Sequence, residues 1–353
     1  MKRIFNTVSS IAIATTATFS ISTVPAMAAI LSNQPGAGTV TVGVDAFGSF
    51  GAFLGGDGTS DAFYTTVDGD TARTVAQSGI IVRRQGEDPI FLTSGSFFDI
   101  QGGENPLFLD TASDDATSTF RLGDLSFNLR QELTAQLDDG NNQIGSVLTQ
   151  TYLITNTSTT AIDFDLFRVL DANVLFSGRF NDDGGGRVSV PKLGDLVFAT
   201  DTISEDGTID PIKFVGITAT GGTIPATGRF EVDFVNNILL GSIQPIGGRL
   251  RDGVVYDAGF SGNNNDILEL SDLPVPDIDT NLSSVLDNVF SLNVGETNTY
   301  TTRTFFGRPL KKVEPEPEPI PEPTLALSLL ALGGLGVALQ SSRKQQKKVK
   351  TKV

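Results

Sequence analysis

Apolar residues in this chain recur at every second position, in short runs that stop at glycine, aspartate and asparagine. Val40, Val42, Val44 and Ala46 alternate with Thr39, Thr41 and Asp45. Ile162, Phe164 and Leu166 alternate with Asp163 and Asp165, and Phe230, Val232 and Phe234 with Glu231 and Asp233. Tyr300, Thr302 and Thr304 alternate with Thr299, Thr301 and Arg303. A period of two sends neighbouring side chains to opposite faces, which is what a strand with one buried face requires. Between the runs stand Gly55-Gly56-Asp57-Gly58, Asp138-Asp139-Gly140-Asn141, Asp182-Asp183-Gly184-Gly185-Gly186 and Gly262-Asn263-Asn264-Asn265. These residue types favour turns. Many short strands so punctuated predict an all-β fold, a single large antiparallel β-sandwich over residues 37 to 310.

Helical periodicity is scarce. Leu282, Val285, Leu286 and Val289 fall at i, i+3, i+4 and i+7, with Asp279 or Thr280 placed as a cap, which predicts a short helix. One or two such helices are expected to cover loops. Leu-Gly-Asp-Leu occurs at 122–125 and again at 193–196, either as two similar strand starts or by chance in so short a match.

Composition closes most routes to chemistry. The 353 residues contain no Cys and no His. Disulfides, thiolate nucleophiles, Cys or His metal sites and the Ser-His-Asp triad are therefore excluded. Carboxylates, Tyr, Ser with Lys, and oxygen-liganded metals are the chemistry that survives.

The two ends differ from the middle. Lys2 and Arg3, an apolar stretch from Val8 to Val24, and Ala26-Met27-Ala28 have the order of a secretory signal with its small-residue cleavage site at Ala26 and Ala28. At Glu314 a Pro/Glu spacer begins and runs to Pro323. Residues 324–339 then carry no charge, and Arg343, Lys344, Lys347, Lys348, Lys350 and Lys352 follow. The expected divisions are a signal over 1–28, a β domain over 29–313, the spacer over 314–323, a short membrane helix over 324–340 and a basic tail over 341–353. Two of the 25 basic residues lie in the signal and six in the tail, and four of the 41 acids follow residue 313, so the β domain holds 17 basic against 37 acidic residues, a net −20. Such a surface repels nucleic acid and favours cations.

Pro321-Glu322-Pro323, the Leu/Ala/Gly segment after it and the Arg343-Lys344 cluster resemble the PEP-CTERM sorting domain. The resemblance implies recognition and removal of the tail by an exosortase-type membrane enzyme, and delivery to the envelope or extracellular matrix alongside exopolysaccharide. Physical length agrees. Sixteen helical residues reach ~24 Å, short of a ~30 Å hydrocarbon core, so the segment suits a transient stay in the inner membrane better than a permanent anchor. Basic residues at both ends stay cytoplasmic, which puts the acidic domain outside.

Within the β domain, calcium is the cofactor its oxygen-rich turns suit best, with Asp201, Asp206 and Asp210 as the candidate ligands. None of the calcium-loop spacings is matched, and Asp and Gly in turns serve backbone geometry more often than metal. Asp163 and Asp165, with Asp171 further on, share one strand face and could be paired acids for glycoside hydrolysis, although a solvated face is the plainer reading. Stacking aromatics for sugar are few: no Trp, and Tyr64, Tyr152, Tyr256 and Tyr300. Lys192 and Lys213 have no motif that would make a Ser/Lys dyad. The segment from Thr149 to Ser158, leading into Ile162–Asp171, is similar to secreted β-sandwiches, including the supersandwich sheets of carbohydrate-acting proteins. That likeness concerns fold alone. The expected function is a non-enzymatic surface or matrix component holding polysaccharide or neighbouring protein. A carbohydrate-binding or carbohydrate-cleaving domain and a calcium-dependent adhesin are the alternatives.

Overall fold

The computed structural model describes residues 29–33, 35–52, 61–87, 89–93, 101–102, 104–176, 183–190, 192–202, 209–234 and 282–307. The expected signal with Ala26 and Ala28, the spacer, the motif Pro321-Glu322-Pro323 and the tail with Arg343 and Lys344 lie outside the described residues, as does Asp206. What is described is all-β, in three sheets.

The first sheet is small, with strands β1 (Ala29–Ser32), β2 (Val40–Val44), β3 (Ala62–Thr65) and β4 (Thr71–Arg73) in sequence order. Then come β5 (Val75–Arg84), β6 (Ile90–Leu92), β7 (Gln101–Gly102), β8 (Glu104–Thr111), β9 (Asp115–Leu122), β10 (Leu125–Leu137), β11 (Gln143–Asn156) and β12 (Ile162–Ala172). They are followed by β13 (Asp183–Val190), β14 (Gly194–Thr202), β15 (Ile209–Gly221), β16 (Phe230–Phe234), β17 (Leu282–Leu292) and β18 (Thr297–Gly307). An eight-stranded sheet has the order β13-β14-β15-β18-β11-β10-β9-β8, and a six-stranded sheet the order β16-β17-β12-β5-β6-β7. Pairing is antiparallel except between β6 and β7.

The alternating residues supply one core shared by all three sheets. Val40, Val42 and Val44 of the small sheet belong to the same buried cluster as Leu129, Tyr152, Ile154, Val215, Ile217 and Phe306 of the eight-stranded sheet and Phe164, Leu166, Leu286 and Phe290 of the six-stranded one. Large antiparallel sheets over a shared core are consistent with the sandwich that the period of two predicts, with a third, four-stranded sheet added to it.

Two chain crossings fix how the large sheets face each other. β11 leads into β12, and β17 into β18, through short turns; β11 pairs with β18 and β12 with β17. Asn156 holds both corners. Its Nδ2 donates to Thr160 O at 2.7 Å and to Leu292 O at 3.0 Å, and its Oδ1 accepts from the Ser158 backbone and hydroxyl. Its backbone exchanges bonds with Glu296 O and Gly295 N. One side chain thus ties a turn in one crossing to the strand end of the other.

Two expectations are corrected. The segment read as a helix at 282–289 is strand β17, paired with β12 from Ile162↔Leu292 to Asp171↔Ser283 and with β16 on its other edge. Leu286, Phe290 and Leu292 face the core while Val285 and Asp287 are buried on the opposite face. A strand buried on both faces has no alternation to display, so a helical spacing arose by coincidence and the two ladders decide the conformation. Among the described residues no helix is present. Of the Asp182–Gly186 stretch, read as a turn, the described residues from Asp183 on belong to strand β13, where Gly184, Gly185 and Gly186 pair with Thr200, Ala199 and Phe198. The Asp138–Asn141 turn stands as read, with Asp138 Oδ1 accepting from Gly140 N and Asn142 N at 2.8 Å.

Candidate functional site

A polar part of the interior surrounds a loop that the fold swallows. Residues 45–50, after β2, are buried throughout. Buried carbonyls and amides need partners, and the eight-stranded sheet provides them from its inner face. Four consecutive carbonyls are each taken by a different side chain. Gln131 Nε2 donates to Asp45 O at 3.0 Å, Ser118 Oγ to Ala46 O at 2.7 Å, Tyr152 OH to Phe47 O at 3.2 Å and Gln150 Nε2 to Gly48 O at 2.6 Å. Gln150 also donates to Gln131 Oε1, and Asp45 Oδ1 accepts the amides of Phe47 and Ser49. These polar residues at core positions serve the loop.

Arg168 lies inside the same region, fully buried. Its Nη1 donates to Gly79 O at 2.8 Å and Val169 O at 2.9 Å, its Nη2 to Thr304 Oγ1 at 2.9 Å, and its guanidinium sits 5.7 Å from the Phe50 ring centre. Burial pulls its pKa down, opposed by Tyr152 and Tyr300. Burial drives both of those phenols far above their usual range, so they stay neutral and offer no base.

The outward face of the six-stranded sheet carries the acids. Asp163 is exposed, but Asp165 is held by Arg83, whose Nε donates to Oδ2 at 3.0 Å. Arg83 also stacks 4.8 Å from the Phe167 ring. Asp287, on β17, is paired with Arg229 and fully buried. Burial raises its pKa to about 6 against the pull of Arg229. Asp171 is 3% exposed and accepts from Ser283 Oγ at 3.3 Å. Burial raises it to about 7, opposed by that hydrogen bond. The solvated face expected for these acids is therefore corrected at Asp171, where solvent is excluded. Periodicity reports which face a residue shares; it does not report whether that face is covered.

The other residues singled out in the sequence fall apart from this face. Asp201 is buried on β14, opposite Asp183 of β13. Asp210 lies on β15, beside the Thr202↔Ile209 pair. Among the described residues, no group of three or more acidic, His or Cys side chains is placed to hold a metal ion. Tyr64, Tyr152 and Tyr300 are fully buried, which removes them as stacking platforms for sugar, and Tyr256 lies outside the described residues. Lys192 sits exposed in a hairpin turn, and Lys213 lies 5.6 Å from the Phe176 ring. A surface hollow of about 180 Å³ between Arg84, Glu87, Ile90, Leu122 and Gly123 is smaller than the ~300–1,000 Å³ typical of ligand pockets.

No family model and no curated protein matches the chain. Among solved structures, a polysaccharide lyase is similar over 79% of this chain and 32% of its own, at 10% identity and a TM-score of 0.32. A protein assigned as a kojibiose phosphorylase from the human microbiome is similar over 73% of this chain and 29% of its own, at 10% identity and a TM-score of 0.28. The chain thus spans about a third of the length of either, and at these scores the likeness says nothing further about it.

Proposed function

We propose that this chain is an exported surface or matrix component whose β-sandwich works by binding and spacing, without catalysis. Its tail acts as the sorting signal for an exosortase-type enzyme. Polysaccharide or a neighbouring matrix protein is the partner.

The observation that carries the non-catalytic reading is the separation of the two acids with raised pKa. Asp287 stands opposite Phe167, four residues along β12 from Asp171. At ~3.4 Å per residue their backbones are about 14 Å apart along the sheet, against the ~5–10 Å between carboxyl groups that acid and nucleophile or base need in glycoside hydrolysis. Asp165 is the diagonal neighbour of Asp287 on the same face, but it is held by Arg83 as Asp287 is by Arg229, and the buried Asp61 and Asp195 are likewise committed to Arg73 and Arg187.

The exposed side of the eight-stranded sheet supports the binding half of the reading. Arg130, Thr151, Thr301 and Thr220 align in one row across β10, β11, β18 and β15, and Ser126, Thr155 and Thr297 in another. Rows of hydroxyls, with the Arg130 guanidinium at the end of one, suit a hydrated, polyhydroxylated polymer, which is bound through many weak hydrogen bonds. The test is incubation of the purified chain with a broad panel of glycans, followed by both product analysis and co-sedimentation. Binding without turnover is expected. Turnover lost on replacing Asp171 or Asp287 would make the protein an enzyme and end this proposal.

A further inference from the structure

We propose that Gln77, Asp171, Asn173 and Ser283 form a calcium site on the outward face of the six-stranded sheet. The inference is independent of the surface-binding reading, and it is not the site that the Asp201, Asp206 and Asp210 spacing suggested.

The sheet register brings the group together. Asp171 on β12 is the direct cross-strand partner of Gln77 on β5 and of Ser283 on β17. Directly opposed residues on one face have Cβ atoms ~4.5–5.5 Å apart, so the three side chains meet in one row. Asn173 follows Asp171 by two positions, and its backbone amide is fixed by Thr74 O at 3.0 Å. All four are sequestered from solvent: Gln77 and Ser283 at 0%, Asp171 at 3% and Asn173 at 5% exposure.

Two features of this row point to a missing ligand. The first is unsatisfied polarity. Both amide atoms of Gln77, and Asn173 Oδ1, are buried without a hydrogen-bond partner. Buried polar atoms in folded proteins are nearly always paired, so unpaired atoms on the two side chains flanking Asp171 call for a partner such as a water or an ion. The second is uncompensated charge. The buried carboxylates of Asp61, Asp195 and Asp287 each hold an arginine, whereas Asp171 holds only the Ser283 hydroxyl. A buried carboxylate without a cationic side chain either keeps its proton or takes a cation from solution, and above the pH at which Asp171 ionises only the cation is left.

The donor set selects which cation. A carboxylate, two amide oxygens and a hydroxyl are all hard oxygen ligands, with no nitrogen or sulfur ligand to favour a transition metal. Calcium accepts such mixed, irregular oxygen shells and completes them with water, whereas magnesium holds to a small octahedron and sheds water reluctantly. A coordinated water also gives Gln77 Nε2 an acceptor. One carboxylate in four donors places the affinity in the weak, extracellular range of ~10⁻⁴–10⁻³ M. The net charge of −16 raises the cation concentration at the surface.

The experiment is thermal unfolding and calorimetric titration of the purified chain at pH 8, with about 10 mM CaCl₂, MgCl₂ or NaCl of equal ionic strength. Calcium at ~10–100 times its Kd is expected to raise Tm by roughly 3–8 °C, magnesium by less. Asp171→Asn and Gln77→Leu should each abolish that increment while keeping or raising the calcium-free Tm, because each removes a buried, uncompensated group. Asp201→Asn should leave the increment in place. A wild-type response to calcium no larger than that of Asp171→Asn and Gln77→Leu would overturn the site and leave the row to ordered water. So would a response lost on Asp201→Asn alone.

Discussion

Replacing Asp171 by asparagine should make the protein more stable, by an amount that grows with pH. In the unfolded chain this carboxyl has its ordinary pKa of 3.8; in the fold, burial lifts it to about 7. The folded state therefore holds its proton more tightly than the unfolded state. Below about pH 4 both states are protonated and the group is neutral to stability. Between about 4 and 7 the unfolded chain loses the proton while the fold keeps it, so stability falls as pH rises. Above 7 both are ionised and the full cost remains. A difference of about three pK units corresponds to about 4 kcal/mol at 1.36 kcal/mol each, undiminished by solvent because the side chain is 3% exposed. Asparagine has the same shape and still accepts from the Ser283 hydroxyl, but it cannot ionise. The assay is urea unfolding of wild type and Asp171→Asn from pH 4 to 8 in chelator, so that no cation compensates the carboxylate. Asp287, raised to about 6, titrates in both proteins and cancels in the difference. The gap should be close to zero at pH 4 and reach about 4 kcal/mol at pH 8. A gap that stays flat, or favours wild type at pH 8, would refute the reasoning.

Gly48 has φ of 91°, and a Cβ there would collide with Tyr152 OH and crowd Gln150 Nε2. Gly48→Ala should cost at least about 2 kcal/mol by denaturant midpoint, from the left-handed backbone and the displaced hydrogen bonds together. Asn156→Ala removes the side chain shared by the two sheet crossings and should cost about 2–4 kcal/mol, whereas the exposed Asn128→Ala should change stability by less than about 0.5 kcal/mol. Changing Pro321-Glu322-Pro323 to alanines should hold the uncleaved chain in the inner membrane, as seen by fractionation and immunoblotting.

Much of the sandwich was legible because one-sided strands advertise themselves. Val40, Val42 and Val44 are buried as their alternation requires, and so are Phe164, Leu166, Phe230 and Val232. Strand β17 was not legible, since burial on both faces leaves Ser283, Ser284, Asp287 and Asn288 interspersed with apolar residues in no period of two. Glycines 184–186 signalled a turn because their place in a ladder depends on a partner strand, which local sequence does not reveal. The inner polar residues carried no signal either. Gln131 and Gln150 make sense only once the carbonyls of Asp45 and Gly48 are known to lie beneath them. Asp171 was correctly placed on a face with Asp165, yet its burial, and its meeting with Gln77, depend on residues 94 positions away in sequence.

The central claim, an exported domain delivered and trimmed by its own two ends, is tested most directly by intact mass spectrometry of the protein recovered from outside the inner membrane. The account predicts a species that begins at Ala29 and has lost the segment after the Pro321-Glu322-Pro323 motif. A cytoplasmic species that retains both Met1 and Val353 would contradict it.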